Sequence, residues 1–533
     1  MRGIVIALVS LVYCSLVAAQ TDRPVVDLGY AKYAGVVDTT THSTRFLGIR
    51  YAAPPTGALL HCTLRWRAPR QPASIAGVQS ADTLPNPCFA AGAGTASTGP
   101  FRNGSFPTSQ HKSNERRAFE PSEDCLFLDV YTTGTLKSTH TSNPMPVIVW
   151  FHGGGYVSGS AAGYNGDDLI SDARGKVVVV VIQYRLGVFG FLPGTKVKKE
   201  GELNAGLLDQ QFALRWVHKH IHKFGGDPRR VTIWGESAGA GSVLQQVIAE
   251  GGNTIPQLFR SAIAIYNEVV SLTGCSSSSG DENTLACLRE VGAGTLENAN
   301  LQIEQSAFSG VVTFVPCVDG LFIRQRPTEA FKQRRVNGEA LLAVTNTNEG
   351  DSFVNHNIVD AMSTADYIAQ LFPHFGQAEI DRAVRQYAGL GTNIERAAAI
   401  FGEAILICPS YLLLQASGNK AYKGQFAIPP ALHSRDLLYY FRSRNPSGHP
   451  PFDNVDFRTA FAQSFINFVI SLDPNVKIEP TNITPQWSPW NSGNEMLFNR
   501  TEDAMPDIRQ IRTSRALLKR CAFWESVGAF SGQ

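Results

Sequence analysis

Hydrophobic residues in this chain follow two rhythms. Four runs are apolar without alternation: "VIVWF" (Val147 to Phe151), "VVVVVIQY" (Val177 to Tyr184), "VTIW" (Val231 to Trp234) and "LLAVT" (Leu341 to Thr345). A strand with one wet face alternates, so runs of this kind predict strands covered on both faces, as in a parallel sheet. Each is followed by a glycine-marked turn, in order "HGGGY", "RLGVFG", "GESAG" and "NTNEG". Segments such as "LLDQQFALRWVHKHI" and "GSVLQQVIAE" carry helical spacing. Strand, helix and strand in succession predict an α/β doubly wound fold, a mostly parallel central sheet with helices on both faces. In such sheets the chemistry sits at the carboxyl ends of the strands, where all four turns fall.

Composition narrows the function classes. The chain has 533 residues, 43% hydrophobic, with 47 Lys and Arg against 45 Asp and Glu. Near-neutral balance gives no electrostatic reason to expect nucleic acid or an anionic membrane. No Gly/Ser linker, charge block or repeat interrupts the sequence, so one large domain is expected over residues 20–533. The opening "MRGIVIALVSLVYCSLVAAQ" has a basic start, an apolar stretch and small residues at Ala18 and Ala19. It reads as a secretory signal over residues 1–19, cut after Ala19. Its apolar run is shorter than the ~20 residues that span a bilayer, and no later segment reads as long and apolar enough, so no membrane anchor is expected. Sequons at Asn103, Asn482 and Asn499 fit a secreted, extracellular protein. Loss of the signal removes Cys14 and leaves eight cysteines, an even number suited to an oxidising compartment. Cys275 and Cys287 flank a short polar loop that reads as a clipped turn.

The "GESAG" turn carries the sharpest chemical signal. A G-x-S-x-G turn between strand and helix forces the serine into strained dihedrals and lifts its hydroxyl clear of the sheet, at a helix N-terminus. Its position after "VTIW" and before a helix makes Ser237 a candidate nucleophile. A serine needs a base and a site for the oxyanion. The glycines of "HGGGY" allow the N–H groups of Gly154 and Gly155 to face a substrate, with that of Ala238 as a third donor. The base should be a downstream histidine, its carboxylate partner lying between the two in the chain. Glu349, Asp319 and Asp351 are the carboxylate candidates; His433, His449, His356 and His374 are the histidines. Glu349 and His433 rank first because both lie in loops against β-rich runs. "HKHIH" places His218 and His222 four apart, a metal-like spacing, yet it lacks H-E-x-x-H and a third ligand and reads as a basic helix face. No cofactor or metal is expected.

Taken together, "FLGIRYAAPPTG", "SEDCLFLDVY", "PVIVWFHGGGYVSGS", "FGGDPRRVTIWGESAGAGSV", "NTNEG", "LHSRDLLYYF" and "RCAFWESV" closely resemble the type-B carboxylesterase/lipase family. That is the cholinesterase-like branch of the α/β-hydrolases, and the likeness is strongest to secreted fungal members. The resemblance implies a serine carboxylic-ester hydrolase with Ser237 as nucleophile, Glu349 as acid and His433 as base. It further implies an oxyanion hole at Gly154, Gly155 and Ala238, and disulfides Cys88–Cys125, Cys275–Cys287 and Cys408–Cys521. Cys62 and Cys317 are left over, bonded to each other or free.

Details of the sequence bear on the substrate. Choline-ester enzymes carry a tryptophan shortly before the second cysteine of the first loop; here that stretch reads "SNERRAFEPSED", so choline esters are not expected. The same loop, Phe89 to Asp124, is the lid of lipase-like members, but here it is mostly Gly, Ser, Thr and charge, which favours small soluble esters over lipid. A lipase or sterol-ester hydrolase of the same fold is the alternative. A catalytically silent binding or adhesion protein is a second, from another class. Where the family usually has Glu/Gln-Ser-Gly behind the triad, this chain has Ile265, Tyr266 and Asn267. Several residues including Cys62 are inserted before "RWRAP". The natural ester and the oligomeric state are not legible in the sequence.

Overall fold

The computed structural model describes residues 23–56, 64–100, 120–134, 143–264, 284–445, 447 and 449–531. Among them, eleven strands form one sheet. They are β1 (Val36–Asp38), β2 (Ser43–Arg50), β3 (Phe127–Thr133), β4 (Met145–Phe151), β5 (Val178–Ile182) and β6 (Gly226–Gly235), then β7 (Ser261–Ala264), β8 (Ala340–Asn346), β9 (Ala421–Phe426), β10 (Asn494–Arg500) and β11 (Pro506–Arg512). The order across the sheet is β11-β10-β9-β8-β7-β6-β4-β5-β3-β2-β1. From β10 to β5 the neighbours run parallel, and the strands outside that block are antiparallel. Val25–Asp27, Lys32–Ala34 and Val78–Ser80 form a small separate sheet.

The unbroken apolar runs are explained by the two cores. Along β4, Val147, Val149 and Phe151 enter one cluster while Ile148 and Trp150 enter the other. β5 divides the same way, with Val178, Val180 and Ile182 on one side and Val179 and Val181 on the other. Side chains alternate faces with period two, and both faces are dry, so no polar position interrupts the strand. The covering helices used below are α1 (Ala205–His220), α2 (Ala238–Gly252), α3 (Asn393–Phe401), α4 (Cys408–Ala416), α5 (Val455–Ser471) and α6 (Arg515–Ser526). α2 packs on β6 and β7, and α5 packs on β4 with Phe465 stacked on Trp234 at 4.8 Å. α1 is tied to the turn after β5 by a buried ion pair, Arg185 Nη2 to Asp209 Oδ1 at 2.7 Å.

One expectation is corrected here. Residues 393–416, which run through α3, a π-helical segment and α4, do form a helix long and apolar enough to cross a membrane. Of its most apolar window, 83% is buried inside the protein. Glu403 within it takes Arg520 of α6 bidentately at 2.6 Å and 2.6 Å, and Cys408 is joined to Cys521. It is a core helix, which composition alone does not distinguish from a spanning one.

The Cys88–Cys125 and Cys408–Cys521 disulfides are both formed. Cys62, Cys275, the side chain of Cys287, the signal, Asn103, most of the lid and Ile265–Asn267 lie outside the described residues. Cys317 is half-buried, its backbone bonded both ways to Asn204. Asn482, one of the expected glycan sites, is enclosed in the structure. The residue is only 5% exposed, and the amide nitrogen that would carry the sugar donates to the Thr459 carbonyl at 3.2 Å and Gln463 Oε1 at 3.3 Å. Asn499 is half-buried on β10.

Candidate active site

β6 ends at Gly235 and α2 begins at Ala238, so Glu236 and Ser237 make the whole turn between them. Ser237 sits at φ 56° and ψ −128°, a conformation costly to any residue with a Cβ. Close packing holds it there. A Cβ on Gly235 would lie 2.5 Å from the Gly239 carbonyl, and one on Gly239 would lie 2.0 Å from the Phe151 oxygen. Only glycine at both places lets the elbow dock against the end of β4. The elbow leaves Ser237 6% exposed at the first turn of α2, where N–H groups have no carbonyl to bond within the helix.

The "HGGG" loop leaves β4 directly beside this elbow. A Cβ on Gly153 would lie 2.9 Å from that of Ser237. Gly154 (φ 110°) and Gly155 (φ 65°) follow in left-handed conformations. The loop is braced by His152, whose ring stacks on Tyr184 at 4.4 Å and whose pKa burial lowers to about 4, so it is neutral. Gly153, Gly154, Gly155 and Ser237 line one cavity of about 480 Å³, with walls from Val157, Val311, Val312, Phe353, Phe401, Ile405 and Leu437.

His433 enters the same cavity from the loop after β9. Its Nδ1 lies 2.6 Å from Glu349 Oε2, and Glu349 opens the turn after β8. Glu349 is fixed through its other oxygen, which accepts the Asn346 N–H at 2.6 Å and the Asn346 side-chain amide at 3.2 Å. The same amide donates to Asp436 at 3.0 Å, and Asp436 also accepts from Tyr440 at 2.8 Å. On the cavity side, His433 Nε2 makes no hydrogen bond among the described residues. It lies 3.2 Å from Glu236 Oε1, an oxygen that accepts from the Ser434 hydroxyl.

Burial raises the pKa of Glu236 and of Asp436. For His433, burial alone would lower it, but the charges of Glu236 and Glu349 outweigh that and raise it to about 9. Glu349 and His433 are thus in contact, and His433 lines the same cavity as Ser237, while the other candidates scatter. His356 pairs with Asp351 at the surface, exposed His449 pairs with Asp453, and His374 is exposed. Asp319 braces its own loop by accepting the N–H groups of Leu321 and Ile323. His218 is half-buried and His222 exposed, and no group of three metal-ligating side chains is found among the described residues. Sequence reasoning missed Asn346, Ser434, Tyr164 and Arg444 around this cavity. Asn346 and Ser434 lie within "NTNEG" and "LHSRDLLYYF" themselves, and that adjacency was the available signal.

The model of the carboxylesterase family matches residues 22–524. Carboxylesterase patB from Aspergillus clavatus is 30% identical, covering 96% of this chain and 97% of that protein. Secreted triacylglycerol lipase LIP1 from Gibberella zeae is 29% identical, over 87% of this chain and 85% of that one. The crystal structure of EstA from Aspergillus niger superposes with a TM-score of 0.79 at 28% identity, covering 96% of this chain and 99% of EstA. The chain thus belongs to the carboxylesterase family, and is a carboxylic-ester hydrolase built on the α/β-hydrolase fold.

Proposed function

We propose that the protein cleaves esters through an acyl-enzyme on Ser237, with His433 as base and Glu349 as its orienting acid. The observation that carries this reading is the 2.6 Å contact between His433 Nδ1 and Glu349 Oε2. It supports a proton held on Nδ1, on a ring that lines the same cavity as Ser237. In the reaction, Nε2 takes the Ser237 proton as Oγ attacks the ester carbonyl. Glu349 stabilises the imidazolium, and the N–H groups of Gly154, Gly155 and Ala238 bind the oxyanion. Nε2 then protonates the departing alcohol, and water repeats the cycle on the acyl-enzyme.

The protein is further proposed to be secreted, with residues 1–19 as signal and 20–533 as one catalytic domain. Relatives named as secreted lipases support that route. The composition of the stretch from Phe89 to Asp124, mostly Gly, Ser, Thr and charge, favours short soluble esters. The relative named as a triacylglycerol lipase supports the second reading, long-chain substrates. 4-Nitrophenyl butyrate and palmitate separate the two. With Ser237→Ala, butyrate turnover should fall at least about 10⁴-fold with an unchanged melting temperature; retained turnover refutes the assignment.

A further inference from the structure

The cavity that holds Ser237 is apolar or hydroxylic over most of its wall, yet one permanent cation lines it. Arg444 ends the short turn after Phe441 and is fixed in two ways. Its Nη1 donates to the Gly163 carbonyl at 2.7 Å, and its guanidinium carbon lies 4.4 Å from the ring centre of Tyr164. Tyr164 is itself held by Trp150 and Phe441, each at 5.1 Å. The guanidinium is thus placed in advance on a rigid aromatic face.

What Arg444 lacks is an anion. Two residues earlier, Arg442 is paired with Asp172. Among the described residues, no carboxylate lies within 4.0 Å of Arg444, whose partners are the Gly163 carbonyl and Tyr164. A guanidinium presents several donors in a plane that matches a carboxylate. The cavity's own carboxylate, Glu236, is 3% exposed and sits against His433 and Ser434. A carboxylate on the substrate would be repelled from that end and drawn toward Arg444. The charges therefore orient a ligand, with its neutral ester at Ser237 and its anionic end at the exposed Arg444.

We propose that Arg444 forms an anion subsite, so that this hydrolase prefers esters carrying a second, ionised carboxyl group. The inference rests on the Ser237 reading above and adds the substrate class to it.

Two matched pairs of probes test it: 4-nitrophenyl hexanoate against mono-4-nitrophenyl adipate, with the charge on the acyl side, and phenyl hexanoate against 3-carboxyphenyl hexanoate, with the charge on the alcohol side. The readout is the kcat/KM ratio of charged to neutral ester in wild type, Arg444→Gln and Arg444→Lys. In Arg444→Gln the ratio should fall roughly fivefold for at least one pair, the size expected of a partly solvated ion pair. The change should lie in KM, and Arg444→Lys should restore part of it. Added salt should lower the wild-type ratio and leave the glutamine variant's ratio flat. Ratios unchanged by Arg444→Gln in both pairs, with neutral esters still hydrolysed by wild type, overturn the anion subsite alone. A wild type that hydrolyses none of the four probes overturns the subsite together with the reading beneath it.

Discussion

Replacing Glu236 by glutamine probes the electrostatics of the base. His433 lies between two carboxylates, Glu349 at 2.6 Å from Nδ1 and Glu236 at 3.2 Å from Nε2, with Asp436 behind them. Two unit charges 3.2 Å apart attract by about 5 kcal/mol at an effective dielectric near 20. That would move an imidazole by three to four pH units at about 1.4 kcal/mol each. The real effect is smaller, because burial raises the pKa of Glu236 and so removes part of its charge near neutrality. A displacement of roughly one to two pH units is expected. The sign follows from the mechanism. In the proposed mechanism His433 acts as base only when neutral, and the neighbouring carboxylates hold its proton up to about pH 9. In wild type, kcat/KM for 4-nitrophenyl butyrate should rise along an alkaline limb near that pH. In Glu236→Gln, with Glu349 and Asp436 still in place, the limb should move down to about pH 7–8. The same proton contributes to native stability in full below the unfolded imidazole's pKa of about 6.5, and this contribution is lost as pH rises through about 9. A pH–rate limb that stays in place or moves upward would refute the reasoning.

Glu349→Gln should keep the fold but lose roughly 10³- to 10⁴-fold in kcat, because an amide on Nδ1 no longer enforces the productive tautomer; steady-state kinetics with circular dichroism checks both halves. Gly239→Ala would put a methyl carbon 2.0 Å from the Phe151 oxygen, so it should cost about 3 kcal/mol or more. Thermal melting and soluble yield read that loss. Removing the Cys408–Cys521 bridge by a double serine substitution opens a 113-residue connection. Chain entropy sets that cost at about 4–5 kcal/mol, visible as a lower melting temperature.

Legibility in the sequence followed the physics. The four apolar runs appear as β4, β5, β6 and β8 because strands buried on both faces tolerate no polar position. The elbow was readable because both glycines that its tight packing requires fall within one short motif. The pairing of Glu349 with His433 was less so: their side chains meet across 84 residues, and loop position beside β-rich runs ranked them ahead of His356 and His449 before the family resemblance singled them out. Asn346, Ser434, Tyr164 and Arg444 escaped because their roles depend on what approaches from elsewhere in space. Residues 393–416 escaped for the opposite reason, since a buried core helix and a membrane span share one composition. The sequon at Asn482 carried no sign that its amide is enclosed.

A fluorophosphonate forms a stable bond only with a serine that a neighbouring base has activated. Intact mass and peptide mapping of the labelled protein therefore test the mechanism most directly. The account predicts one adduct per chain, carried on Ser237, with labelling slowed at least about a thousandfold by His433→Ala. An adduct on a different residue, or undiminished labelling of Ser237 in the histidine variant, would contradict it.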